Sequence, residues 1–360
     1  MVATSAGLSL LMACSSPTDA TAPTPSATTP SASVPASSVA TPSSAATPSS
    51  AATATPRPTE SKPPVKKKKP NPISMEALIQ KRYDGRALKL GRQIAETDAY
   101  TRYLITYRGD ALKISGVMNV PKGKGPFPVL VLNHGYINRS TYFPGQGMPR
   151  EHDYLARQGY VVLHTDYRGH ATSDNDKNID YELRLPYTVD TINAVKAVKG
   201  SKLKFLDRDR VGWLGRSMGG EVTLRALAAQ PGLVDAAVVY ASTSSLTADN
   251  WKQFYRPSPE RRAVNARIKK GYGLPADSPK FWRAASARPY FDRVTEPVMV
   301  HHGRQDDTCP IAWSRATVKA LEQGGAKVTF RTYRGEGHTF AGQWTSSIKR
   351  TVAFFDKHLD

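Results

Sequence analysis

Cysteine is almost missing from this sequence: the 360 residues include two, Cys14 and Cys309. Two such thiols, one in a polar tail and one expected deep in the fold, do not make a disulfide framework. Acidic residues are also scarce, 30 against 50 Lys and Arg, for a formal net charge of +20. Residues 1–70 carry Arg57, Lys62 and Lys66 to Lys69 against Asp19 and Glu60, which leaves +16 on the rest of the chain. That balance favours anionic surroundings such as acidic cell-wall polymers, anionic lipid head groups or acidic substrates, and it reads as diffuse surface charge more than as one anion site. No nucleic-acid recognition motif is present, and nucleic acid is not expected as a partner. Large apolar side chains are nearly lacking from Ser15 to Pro64, which is built of Ala, Ser, Thr and Pro. Such a segment cannot bury enough apolar surface to offset its conformational entropy, so disorder is expected there.

The apolar run at the N-terminus, Gly7 to Ala13, is short and has no basic residues before it. Its end, Leu11-Met12-Ala13-Cys14, resembles a bacterial lipobox, whose cysteine becomes the lipidated first residue of the mature protein. The expected organisation is a lipoprotein signal segment at 1–13, lipidation at Cys14, a tether at 14–70 and a folded domain at 71–360. The tether would be open to O-glycosylation and ends in a Lys run able to touch anionic lipid or wall polymers. The implied location is extracytoplasmic, anchored to the bacterial membrane.

Within the folded part, Ser74 to Tyr83 has helical spacing behind a plausible N-cap. Tyr100 to Arg108 and Leu112 to Val120 flank Gly109-Asp110 as an antiparallel hairpin. Continuous apolar runs at Pro128–Asn133, Tyr160–His164, Val211–Leu214, Asp235–Tyr240 and Pro297–His301 read as strands buried on both faces, and Val328–Tyr333 completes the set. Helical segments intervene at His152–Gln158, Tyr187–Lys199 and Glu221–Gln230, and Ile348–His358 closes the chain. This alternation predicts an α/β fold with a mostly parallel central sheet covered on both faces. The looser stretch 244–293, with Trp251, Phe254, Tyr255, Tyr272, Phe281, Trp282 and Tyr290 among many basic residues, reads as a small helical cap insertion over the site.

The stretch with the strongest chemical content is Gly215-Arg216-Ser217-Met218-Gly219, set between an apolar strand and an Ala/Leu helix. This is the nucleophile-elbow pattern: a strained turn lifts the Ser217 hydroxyl above the sheet at a helix N-terminus, and Gly215 and Gly219 leave room for the backbone to pass itself. A serine hydroxyl needs a base, and the base needs an orienting acid. His338, in the Gly-rich loop after the last strand, is placed as the base. His301 and His302 are expected to be structural, with ring nitrogens bonded to backbone, and His358 to lie at the surface. Asp306 and Asp307 both stand in the loop where the acid belongs. The oxyanion donors are expected to be the N–H groups of Met218 and Tyr136.

Five motifs in order, His134-Gly135, Asp166-x-Arg-Gly-x-x-x-Ser173, Gly215-x-Ser-x-Gly-Gly220, Gly303-x-x-Asp306-x-x-x-Pro310 and a late Gly-x-Gly-His338, resemble the α/β-hydrolases. Within that fold they resemble the catalytic domains of prolyl-oligopeptidase-like (S9) peptidases and related esterases. The resemblance spans roughly residues 100–358 and assigns the acid to Asp306. Tyr136 stands where many relatives have a second Gly, so its hydroxyl could replace its amide as donor. Cys309 replaces a usual Val and reads as a small buried apolar residue. The resemblance implies a serine hydrolase with a Ser-Asp-His triad, needing no metal or organic cofactor. The partner is a small-molecule ester or a short peptide, with esters favoured because the first 70 residues cannot supply the peptide-filtering propeller of the full-length peptidases. A silent wall-binding scaffold and acyl transfer at the same elbow are the competing readings.

Overall fold

The computed structural model describes residues 69–360. The expectations for the signal segment, for Cys14 and for nearly all of the tether lie outside these residues. The strands are β1 (Arg86–Glu96), β2 (Tyr100–Gly109), β3 (Leu112–Pro121), β4 (Phe127–Asn133), β5 (Val161–Thr165), β6 (Leu206–Arg216), β7 (Ala236–Tyr240), β8 (Val298–Gly303) and β9 (Val328–Tyr333). They form one sheet in the order β1-β2-β3-β5-β4-β6-β7-β8-β9. The first three strands and β5 pair antiparallel, and every pair from β5 to β9 is parallel.

The helices are α1 (Met75–Gln80), α2 (Pro149–Arg157), α3 (Pro186–Lys199), α4 (Met218–Ala229), α5 (Thr247–Asn250), α6 (Arg262–Tyr272), α7 (Pro279–Ala284), α8 (Ile311–Gln323) and α9 (Trp344–Leu359). Ser74 caps α1 by accepting from the Ala77 N–H at 3.1 Å. Alternation along the central strands divides the core. Val129, Val131, Val211 and Trp213 face the side covered by α3 and α4, while Leu130, Leu132 and Leu214 face the side covered by α2 and α9. Every residue of β5 and β7 is buried, as expected of strands roofed on both faces.

Two elements differ from the sequence reading. The edge strand β1 buries a single residue, Leu88, and is otherwise largely exposed and basic, so it has no apolar run to announce it. The β8–β9 crossover is filled by α8, a stretch to which the pattern assigned no element. The chain leaves β4 toward β5 on one side and returns to β6 on the other. Loops leaving the carboxyl ends of β4 and β6 therefore diverge from neighbouring strands, the place where open α/β sheets bind ligands.

Candidate active site

Ser217 follows β6 directly and has φ 55° and ψ −122°, a conformation that costs on the order of 1–3 kcal/mol and persists only where its surroundings enforce it. They do so on three sides. The Ser217 N–H donates to Tyr240 O at 2.9 Å, and its carbonyl accepts from Gly220 N at 2.9 Å and Thr243 N at 3.2 Å. A Cβ on Gly219 would stand 1.9 Å from Asn133 O, and one on Gly215 would stand 2.3 Å from Gly219 O. Asn133 Nδ2 donates to Thr223 Oγ1 at 2.9 Å, tying the end of β4 to α4.

Asp306 and His338 come from the loops after β8 and β9. Gly303 lets those loops touch, since a Cβ there would lie 2.3 Å from Glu336 O. Gln305 N donates to Glu336 O at 2.9 Å, and the Glu336 carboxylate accepts from Ala341 N at 2.6 Å, which closes the histidine loop. His338 Nδ1 donates to Asp306 Oδ2 at 2.9 Å, so Nε2 is left for a substrate or the serine. Arg216, the neighbour of Ser217, donates to His338 O at 3.3 Å and to Thr339 Oγ1 at 2.7 Å, and so bolts the histidine loop to the elbow strand.

The Asp306 side chain is fully buried. Burial disfavours its charge, but donors from His302, His338 and the Cys309 N–H outweigh it and hold the carboxyl well below the ordinary carboxylate range. His302 was expected to be structural, and it is: Nδ1 lies 2.7 Å from Ser314 Oγ, while Nε2 lies 2.8 Å from Cys309 O and 3.3 Å from Asp306 Oδ2. Two acceptors at Nε2 place its proton there. His301 bonds hydroxyls, Tyr333 at 2.7 Å and Thr351 at 3.1 Å, in place of the expected backbone. Asp307 has Thr308 Oγ1 as its partner, at 3.2 Å, and Asp306 alone meets His338. Cys309 is buried. Burial and the Asp306 charge push its thiol far above its ordinary range, which keeps it protonated.

Met218 is the first residue of α4, so its N–H has no acceptor within the helix. The loop after β4 approaches the nucleophile closely: a Cβ on Gly135 would lie 3.2 Å from Ser217 Cβ. His134 anchors this loop through Gly135 O at 2.6 Å and Asp166 O at 3.3 Å, and burial, then His170, lower its pKa to about 3. The Tyr136 ring is exposed, and the guanidinium groups of Arg184 and Arg261 stand 4.5 and 4.8 Å from its centroid.

Ser217, Met218, Tyr136 and His338 open onto one cavity of about 560 Å³. The aromatic cap residues divide around it. Trp251, Phe254 and Tyr255 line the cavity, whereas Tyr272 stacks on Phe281, Phe281 meets Trp282 edge to face, and Tyr290 bonds Glu76 of α1. The sequence reading missed the polar part of the wall, Arg184, Glu221, Arg225 and Arg261. The spacing of Glu221 and Arg225 on one helix was a usable signal. Arg184 gave none, because it is delivered by two consecutive residues with positive φ, Leu183 (52°) and itself (59°). Among the described residues no three His, Cys, Asp or Glu side chains converge as a metal site.

Comparison with known proteins agrees with this fold. The chain is 26% identical over 271 residues to the uncharacterized peptidase YuxL of Bacillus subtilis strain 168, a match covering 69% of this chain and 38% of that protein. It therefore spans well under half the length of that relative. Among solved structures it is similar to the acetyl xylan esterase from Paenibacillus sp. R4, with a TM-score of 0.60, 19% identity and coverage of 79% of this chain and 92% of the esterase. It is also similar to the acylaminoacyl peptidase of Pyrococcus horikoshii, with a TM-score of 0.57, 21% identity and coverage of 73% and 42%. Both likenesses show the α/β-hydrolase fold. The model of the prolyl oligopeptidase family matches residues 148–360, which hold the elbow, the acid loop and the histidine loop together, and the chain belongs to that family.

Proposed function

We propose that this protein is a serine hydrolase that cleaves carboxylic esters through an acyl-enzyme. Ser217 attacks the carbonyl carbon as His338 Nε2 takes its proton, and Asp306 holds the imidazole in the required tautomer and balances its charge. The Met218 and Tyr136 N–H groups receive the oxyanion. His338 then protonates the leaving alcohol, and water repeats the sequence to free the acid. The observation that carries the reading is the 2.9 Å hydrogen bond between His338 and the buried Asp306, made over the same cavity that receives the strained Ser217. Esters are favoured by the likeness to an acetyl xylan esterase over 92% of that chain. Cleavage of short peptides is the second reading, favoured by membership of a peptidase family.

The test is labelling by a fluorophosphonate probe, with Ser217→Ala as control, followed by p-nitrophenyl acetate and an Ala-Pro chromogenic peptide. Labelling lost in the variant supports the nucleophile, and the two substrates rank the activities. A folded protein that takes no label overturns the assignment and favours a silent scaffold. We also propose that Cys14 is lipidated. Expressed in a bacterium, the full chain should enter the detergent phase and Cys14→Ser should not; equal partitioning would overturn it.

A further inference from the structure

The wall of the cavity carries more positive than negative charge, and the excess is unevenly met. Glu221 and Arg225 are both buried and pair with each other, and Arg225 also donates to Thr247 Oγ1 at 3.1 Å. That pair is internally neutral. Arg184 is 7% exposed and shares one carboxylate, Asp180, with Arg139: the two ion pairs are 3.1 and 3.0 Å long. Arg184 Nη2 has no hydrogen-bond acceptor among the described residues. Arg261 donates to Phe254 O at 2.7 Å and has no carboxylate within ion-pair distance among the described residues. The remaining acid of the wall, Glu260, is exposed and held by Ser258 at 2.7 Å.

The two under-compensated cations stand together. The Arg184 and Arg261 guanidiniums flank both Tyr136 and Tyr255, at 4.5 to 4.9 Å from the ring centroids. Stacking on aromatic faces leaves guanidinium edges for an acceptor and holds them ready for it. In a partly closed cavity such charge is weakly screened. In the mechanism the leaving group departs beside His338, which must protonate it, whereas the acyl group stays on Ser217. Arg184 touches the residue after the nucleophile, its Nη1 lying 3.5 Å from Met218 Sδ.

Taking the serine-hydrolase reading as its basis, we infer that the cavity is built for an acyl group whose far end carries a carboxylate, received by Arg261 and Arg184. The substrates are then half-esters of dicarboxylic acids or esters of comparably acidic acyl groups. The test uses three p-nitrophenyl esters of matched size, made from glutaric acid (anionic), glutaramic acid (neutral) and 5-aminopentanoic acid (cationic). A charge-assisted hydrogen bond corresponds to about tenfold or more, so kcat/KM should rank anionic over neutral by at least about tenfold, with cationic last. Arg261→Gln should collapse the anionic-to-neutral ratio, and Arg261→Glu should invert the ranking of the anionic and cationic esters. Arg261 is partly exposed, so these variants are expected to fold.

Fluorophosphonate labelling of the same samples separates the two readings. A labelled enzyme that treats the three esters alike, or prefers the cationic one, overturns this inference and leaves the hydrolase standing. Should no label be taken, the hydrolase reading falls, and calorimetry with glutarate and glutaramide on the same protein decides the anion site. Glutarate bound at least about tenfold more tightly would support it, and equal or absent binding would overturn it.

Discussion

Asp306 is surrounded by donors alone: the N–H groups of Thr308 and Cys309 and the ring nitrogens of His302 and His338. An asparagine would present its own N–H₂ to one of them. Asp306→Asn should therefore lower kcat on the order of 10³- to 10⁴-fold with KM little changed. Steady-state kinetics beside circular dichroism checks this, and a loss under tenfold in a folded variant would remove Asp306 from the orienting role. The carboxyl is more acidic in the folded chain than unfolded, so its charge stabilises the fold above about pH 4, and that stabilisation is lost as the pH falls toward the folded value. Tyr136 can be tested at the same scale. The Arg184 and Arg261 guanidiniums lie against the ring, and Gly135 brings the backbone against Ser217, so Tyr136→Phe should keep kcat within about threefold. A loss near 10²-fold would transfer the oxyanion role to the hydroxyl.

Among the elements, β4 and α4 depend on one absent methyl group. With Asn133 O 1.9 Å from where a Cβ of residue 219 would stand, Gly219→Ala must push the helix off the strand. A cost of about 3 kcal/mol or more is expected, read as a lowered urea midpoint with loss of probe labelling. An unchanged midpoint would show that the two can part freely. The parallel strands were legible because burial on both faces writes an unbroken apolar run, as in Ala236–Tyr240, and the elbow because its glycines are forced by contact. β1 was not, since this edge strand buries one apolar residue, Leu88. The meeting of Asp306 with His338 was readable from motif order, but the pairing of Arg184 with Arg261 joins a left-handed turn to the cap, a distance no local pattern encodes.

Across the whole molecule, histidine sets the acid limit. Burial lowers His134 and His301 to about 3 and His170 to about 4, and holds His152 and His164 well below their ordinary value. The unfolded chain binds protons at these rings near pH 6.5 and the folded chain does not, so stability is lost as the pH falls below that point, each ring contributing on the order of 1 kcal/mol by pH 5.5. Urea unfolding at pH 7.5 and 5.5 should show the fall, and His301→Gln should reduce its slope by roughly one proton. Equal stability at both values would mean that the rings are charged inside the fold. The cap brings a different constraint. It occupies the crossover from the carboxyl end of β7 to the amino end of β8, is closed on itself by Thr247 Oγ1 to Ala285 O at 2.7 Å, and is fastened by Ser245 to Thr317 at 2.8 Å and Arg293 to Ala228 O at 2.8 Å. Its two ends are thus tied to two helices that pack on the sheet, α8 and α4. The wall that Trp251, Phe254 and Tyr255 present to the cavity therefore hangs between two fixed points, as a bridge deck hangs between its piers.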